Sequence, residues 1–182
     1  GPIFDMANIE FDFVPTKNQV VFEFAFASEE YCEYVNTNYN DVFGFFISGP
    51  GIVGTKNLAV IPTTNTPITI NNLNHLVNSG LYTHNTPITG KNCGILPSFG
   101  QAVLELQYDG FTKKMTAVAN VVPCQTYHIK LKIADVSDGV WDSAVFFRAN
   151  SFNAGGTVLA TPAYPGGSAS AFESCDAGNI RF

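Results

Sequence analysis

The sequence predicts an all-β protein: an antiparallel β-sandwich or jelly roll with long loops and at most one or two short helices. Three observations carry this prediction. The 182 residues include 16 Phe but only 13% charged residues, a composition that favours strands over helices. Apolar and polar residues alternate along several short segments, which is the period of half-buried strands. Gly, Pro and Asn separate these segments, as they do where turns join strands.

Eight segments have strand character. Most alternate between apolar and polar residues, so each predicted strand has one buried and one exposed face. The run at 41–48 is instead almost continuously apolar, as expected of a strand that is covered on both sides. In chain order the predicted strands are residues 9–13, 20–27, 41–48, 58–61, 103–108, 114–122, 127–133 and 140–149.

One tight turn and one helix are predicted between these strands. Asp109-Gly110 is a strong turn signal, which predicts a hairpin between the strands on either side of it. The segment 28–36 is the one stretch predicted as a short helix, with Ser28 in the N-cap position. Residues 62–92 form a long tract rich in Thr, Asn and Pro, which predicts an extended loop.

A single domain is predicted for most of the chain, because 182 residues are short for two domains and ample for one. We assign this domain to residues 1–154. Residues 155–182 begin with a stretch rich in Gly, Pro and Ser, and we interpret them as a return loop or linker that ends in a final strand. Both ends look like cuts, so the chain is interpreted as part of a larger multidomain protein.

Composition and spacing exclude several classes of function. Nine basic and fifteen acidic residues give a net charge of −6, which predicts neither a nucleic-acid surface nor an anionic-membrane surface. No run approaches the roughly 18 apolar residues of a membrane-spanning helix, so direct membrane insertion is not predicted. The histidines lack the spacing of zinc ligands, and no Gly-x-Ser-x-Gly elbow marks a nucleophilic serine.

Four widely spaced cysteines bear on the compartment of the protein. An even number at wide spacing is typical of extracellular proteins, so two disulfides and an oxidising environment are predicted, with buried free thiols as the alternative. Three pairings are open, and Cys93–Cys124 is favoured because both residues lie in loops beside neighbouring predicted strands. The four residues are Cys32, Cys93, Cys124 and Cys175.

Carboxylates gather in two segments that contain no lysine or arginine: five between Lys17 and Lys56, and three between Lys132 and Arg148. Two unit charges about 5 Å apart repel by roughly 3 kcal/mol at an effective dielectric of 20, so such loops need a cation, a raised pKa or distance. Ca²⁺ suits them because it binds six to eight oxygens. The predicted calcium ligands are Glu29, Glu30, Asp41, Asp135, Asp138 and Asp142. Two solvated acidic loops are the alternative.

A surface for a glycan or peptide is predicted beside these carboxylates, because aromatic rings stack on sugars and polar groups orient them. Packing between strands is the alternative for the lone Trp. Two of the carboxylates could also hydrolyse a glycosidic bond, which needs an acid and a base or nucleophile about 5–9 Å apart. The predicted ligand-binding residues are Tyr31, Asn40, Asp109 and Trp141.

Four blocks of the sequence resemble the choice-of-anchor L domain family. The combination of FASEEY, NDVFGFF and IADVxDGxxDSAVF is specific, and the blocks follow the family's order. The resemblance implies an exported, adhesin-like module of a large bacterial protein that is secreted or attached to the cell surface. Family members usually carry a further upstream region that is missing here. The blocks are residues 22–51, 57–74, 108–117 and 123–152.

Together, the residues and the resemblance favour a non-catalytic, calcium-stabilised binding or adhesion module with an extracellular glycan, peptide or protein as its partner. A carbohydrate-active hydrolase that uses paired carboxylates is the first alternative. A passive spacer within a long surface protein is the second. Ca²⁺ is the only cofactor predicted.

Overall fold

The structure is a computed structural model and describes residues 1–85 and 106–155. These residues form nine strands and one short 3₁₀ helix, Ser79–Leu81. None of their helices is long and apolar enough to cross a membrane. The strands are β1 (Ile3–Phe13), β2 (Gln19–Ser28), β3 (Val42–Ser48), β4 (Lys56–Asn57), β5 (Tyr82–His84), β6 (Gly110–Thr112), β7 (Met115–Asn120), β8 (Tyr127–Val136) and β9 (Ser143–Phe147).

Two antiparallel sheets form a sandwich, which confirms the predicted fold class. The first sheet has the strand order β1-β8-β3-β4. The second has the order β5-β6-β2-β7, and β9 also pairs with β2. β9 and β6 both pair with the end of β2, so they lie on opposite edges of that strand. Among the described strands, β1 pairs with β8 alone and β9 pairs with β2 alone.

Aromatic side chains fill the space between the sheets. Phe22 and Phe24 of β2 face Phe45 and Phe43 of β3, and all four are buried. The rings of Phe22 and Phe45 meet edge to face with centroids 4.4 Å apart, and those of Phe24 and Phe43 are 5.4 Å apart. The alternation along β2 is therefore confirmed, since the phenylalanines point inward and the residues between them do not.

The predicted reversal at Asp109-Gly110 is wrong. Gly110 begins β6, and β6 and β7 run in the same direction along one edge of β2, with the register shifted by one residue between them. The Asp109 N–H donates to the Ser28 carbonyl, 3.1 Å away, which ties this segment to β2. A β-carbon on Gly110 would collide with the Tyr82 ring. Close approach to an aromatic ring, rather than a turn, therefore requires this glycine.

Two further elements differ from their predictions. The strand predicted at 58–61 is reduced to an isolated bridge at Val60, because the Asn57 side chain accepts the N–H groups of Phe45 and Ala59 in place of a strand partner. The helix predicted at 28–36 is a series of turns. The linker and final strand predicted for 155–182 lie outside the described residues, apart from residue 155.

Candidate functional site

Four strand ends meet at one end of the sandwich, two from each sheet. The carboxyl ends of β2 and β8 and the amino ends of β3 and β9 lie there, because each strand pairs antiparallel with a neighbour in its own sheet. The structure places the six predicted calcium ligands at these ends: Glu29 and Glu30 after β2, Asp41 before β3, Asp135 in β8, and Asp138 and Asp142 in the loop from β8 to β9.

Three of these carboxyl groups form a buried cluster. Asp41 is 0% exposed, Glu30 is 1% exposed and Asp135 is 6% exposed. The side chains of Glu30 and Asp135 both lie within hydrogen-bonding reach of the Asp41 carboxyl group. Two carboxyl groups can share a hydrogen bond only when one of them carries a proton and donates it. Glu30 and Asp135 can therefore each bond to Asp41 only while one carboxyl group of the pair is protonated.

Asp41 connects the two sheets through its side chain. Its Oδ1 accepts a hydrogen bond from the backbone N–H of Val136 at 3.1 Å, at the end of β8. Its Oδ2 accepts one from the Ser143 hydroxyl at 2.7 Å, at the start of β9. Because β8 and β9 belong to different sheets, this one carboxylate holds both ends of the β8–β9 loop in place.

Burial and neighbouring charge raise the pKa values of the cluster. Burial, followed by the negative charge of Asp41, raises the pKa of Glu30 to about 8. The same two causes raise the pKa of Asp135 to about 7. Burial also raises the pKa of Asp41, although hydrogen bonds to its carboxylate oppose the shift. Near neutral pH the cluster therefore keeps protons that exposed carboxyl groups have already released.

The cluster has an unmet demand for a positively charged or donating partner. Glu30 Oε2 is buried and has no hydrogen-bond partner. Within residues 1–85 and 106–155, no ion pair includes Glu30, Asp41 or Asp135. Lys114 and Arg148 both bind Glu23, away from the cluster. A buried oxygen left without a partner costs about 1–3 kcal/mol, which makes it a place to look for an ion or a water molecule.

The other three predicted ligands lie closer to solvent. The N–H of Glu29 donates to the Asp142 carbonyl, and the N–H of Asp142 donates to Glu29 Oε2, both at 3.0 Å. Asp138 Oδ1 accepts the N–H of Val140 at 3.3 Å. Within the part of the chain that the structure describes, no three Asp, Glu, His or Cys side chains are arranged to hold a metal ion. Asp142 is exposed, whereas Glu29 and Asp138 are half-buried.

The four predicted ligand-binding residues differ in exposure. Tyr31 is fully buried and its hydroxyl donates to the Leu73 carbonyl at 2.8 Å, so its ring packs in the core. Asp109 is also buried, which removes it from the predicted surface. Asn40 is half-buried, and its Oδ1 accepts the N–H of Asn71 at 2.8 Å. Trp141 is 48% exposed and remains available to a ligand.

The cysteine pairings stay predictions. Cys32 is buried and follows Glu30 by two residues in the sequence, and Cys124 is exposed. Cys93 and Cys175 lie outside the described residues.

Sequence reasoning missed one acidic residue at this end of the sandwich. Asp5 lies in β1, next to Phe4, which pairs with Asp135. Its negative charge contributes to raising the pKa of Asp135, so the two carboxyl groups are close enough to interact. The available signal was its position near the start of a strand that pairs antiparallel with the end of β8. The predicted strand begins at residue 9 and so does not include Asp5.

The same region carries the likeness to known proteins. A family model for the Choice-of-anchor L domain matches residues 2–153, which include both sheets and the whole carboxylate cluster. No curated protein and no solved structure matches the chain. Because the match covers most of its length, the chain belongs to the choice-of-anchor L domain family, whose members are modules of secreted or cell-surface proteins.

Proposed function

We propose that this domain is a non-catalytic, calcium-stabilised binding module of a large bacterial protein that is secreted or attached to the cell surface. One observation carries the proposal: Glu30, Asp41 and Asp135 form a buried carboxyl cluster with which no base pairs within residues 1–85 and 106–155, and Glu30 Oε2 has no hydrogen-bond partner. A divalent cation would balance this charge and give the free oxygen a ligand. Ca²⁺ fits because it binds oxygen donors in variable geometry.

Calcium and protons compete for this cluster. The raised pKa values of Glu30 and Asp135 mean that protons occupy part of the cluster at neutral pH. Metal ligands must lose their protons before they bind, so Ca²⁺ would release protons as it enters. Asp138 and Asp142 would then supply further oxygens from the loop, with backbone carbonyls and water completing the coordination.

The ion would order the surface that meets the partner. The loop from β8 to β9 carries Asp138 and Asp142 and also the exposed Trp141, at the same end of the sandwich. Fixing this loop lowers the entropy cost of binding a glycan or peptide there. An exposed indole ring offers a flat apolar face for a sugar ring or an apolar side chain.

A catalytic role for the carboxyl groups of the buried cluster is less well supported. Glycoside hydrolysis requires both carboxyl groups to reach a sugar. The three carboxyl groups of the buried cluster are at most 6% exposed, and Asp41 accepts hydrogen bonds from Val136 and Ser143.

A passive spacer remains the competing function. Screening the protein against glycans and peptides in calcium, with Trp141→Ala as the variant, separates a binding module from a spacer.

Direct calcium binding tests the proposal. Metal-stripped protein titrated with CaCl₂ by calorimetry is expected to bind Ca²⁺ and to release protons, seen as a heat that depends on the buffer. Asp41→Asn removes the central charge and is expected to weaken binding by about 100-fold or more. Glu23→Gln is the matched control, since Glu23 binds Lys114 and Arg148 away from the cluster. Absence of binding to the wild type at millimolar Ca²⁺ would reject the calcium site.

A further inference from the structure

We propose that Asp5 is a further ligand of this cation site, so that the ion fastens the N-terminal part of β1 to the loop between β8 and β9. The inference rests on the calcium site proposed above, and it adds a residue from a different strand. The ion would also hold the start of β1 in place. This matters because β1 is an edge strand that pairs with β8 alone among the described strands.

A β-bulge aims Asp5 at the loop. Phe4 pairs with Asp135 and Ala7 pairs with Ile133, so two residues of β1, Asp5 and Met6, stand opposite one residue of β8. Bulges of this kind redirect a side chain and occur beside functional sites. Asp5 also has a φ of 40°, in the left-handed region that residues other than glycine rarely adopt.

The Asp5 carboxylate lies directly against the loop. A β-carbon on Gly139 would collide with Asp5 Oδ2, so the absence of a side chain at Gly139 makes room for the carboxylate. The chain is held there by a second contact, in which the Ser137 N–H donates to the Pro2 carbonyl at 2.9 Å. Both contacts join the first residues of β1 to the loop that carries Asp138 and Asp142.

Asp5 is an exposed residue, so water can hydrate its carboxylate. Its carboxylate makes no hydrogen bond or ion pair within residues 1–85 and 106–155, unlike Asp12 further along β1, which lies 2.8 Å from His128 Nδ1. The buried Glu30 Oε2 is the independent sign that a ligand is missing from the neighbouring cluster. A cation between the loop and the cluster would give this oxygen a partner and would also bind the Asp5 carboxylate.

Two measurements on the whole 182-residue chain test the inference. The first is the Kd for Ca²⁺ of metal-stripped protein, by calorimetry. The second is hydrogen exchange at the start of β1, with and without Ca²⁺. Asp5→Asn is expected to raise the Kd about tenfold or more, because the site loses one charged oxygen ligand. It is also expected to remove the calcium-induced protection of the amides in residues 3–8. Asp12→Asn is the matched control on the same strand and should leave both readouts as in the wild type.

Gly139→Ala provides a second variant in case Asp5→Asn does not fold. Gly139 has an ordinary φ, so the added methyl group acts by displacing the Asp5 carboxylate and not by straining the backbone. It should also raise the Kd and reduce the protection of β1. If the wild type binds Ca²⁺ and the variants that fold bind it equally well, Asp5 is not a ligand, and the calcium site stands without it. If the wild type does not bind Ca²⁺, the proposed function fails, and this inference fails with it.

Discussion

Glu30→Gln is expected to be more stable than the wild type in chelator at pH 8 and less stable than the wild type in calcium. Without an ion, the buried Glu30 carboxyl must either keep a proton or place a second charge beside Asp41, and its pKa is raised to about 8 for that reason. Glutamine keeps the shape of the side chain, carries no charge and donates an N–H to Asp41. In calcium the same change removes a charged ligand.

The expected gain in chelator is about 1–3 kcal/mol, the scale that the raised pKa of Glu30 sets for a carboxyl group with 1% exposure. Urea unfolding of both proteins in EDTA and in CaCl₂ measures which of them has the larger free energy of unfolding in each buffer. Glu29→Gln, on the half-exposed neighbour, is the control and should show no comparable gain in chelator. A variant that is less stable than the wild type in both buffers would indicate that Glu30 is a structural hydrogen-bond acceptor and not an ion ligand.

The stability of the calcium-free protein is expected to fall as the pH rises from about 6.5 to about 8. Raised pKa values of Glu30 and Asp135, to about 8 and about 7, mean that the folded state holds protons which the unfolded chain has lost. A state that binds more protons loses stability as the pH rises, until the pH passes the folded pKa. The expected loss is about 1–2 kcal/mol, or about 2–8 °C in Tm.

Excess calcium is expected to remove this fall, because the ion takes the place of the protons. The window begins at about pH 6.5 because burial lowers the pKa values of His75 and His84, which oppose the carboxyl groups at more acidic pH. Thermal scans across this window in EDTA and in CaCl₂ make the comparison. A stability that is independent of pH in EDTA would show that the cluster is fully ionised in the folded protein.

The strand pattern was predictable because alternation is a local property of the chain. β2 and β8 follow from the spacing of their apolar residues, without knowledge of their partners. The Asp109-Gly110 prediction failed for the opposite reason. The glycine is required by the Tyr82 ring, which lies on another strand, and no local signal separates this need from a turn.

The acidic end of the sandwich was visible in the sequence because the absence of lysine and arginine near the carboxylates is also local. Which groups are buried was not visible, since burial depends on how the ends of β2, β3 and β8 come together. Exposure therefore divides the predicted ligands into an inner and an outer set. Asp5 was missed because its position depends on a bulge in β1 that appears only when that strand pairs with β8.

Thermal unfolding of the wild type tests the central claim most directly. The protein is compared in excess EDTA, in about 5 mM Ca²⁺ and in about 5 mM Mg²⁺, concentrations above the 10⁻⁴–10⁻³ M dissociation constants of extracellular calcium modules. Binding in that range should raise the Tm by about 2–9 °C in Ca²⁺. Mg²⁺ should give no comparable rise, since it needs near-octahedral coordination. The same Tm in all three buffers would contradict the calcium site and leave the buried cluster as a purely proton-bound structure.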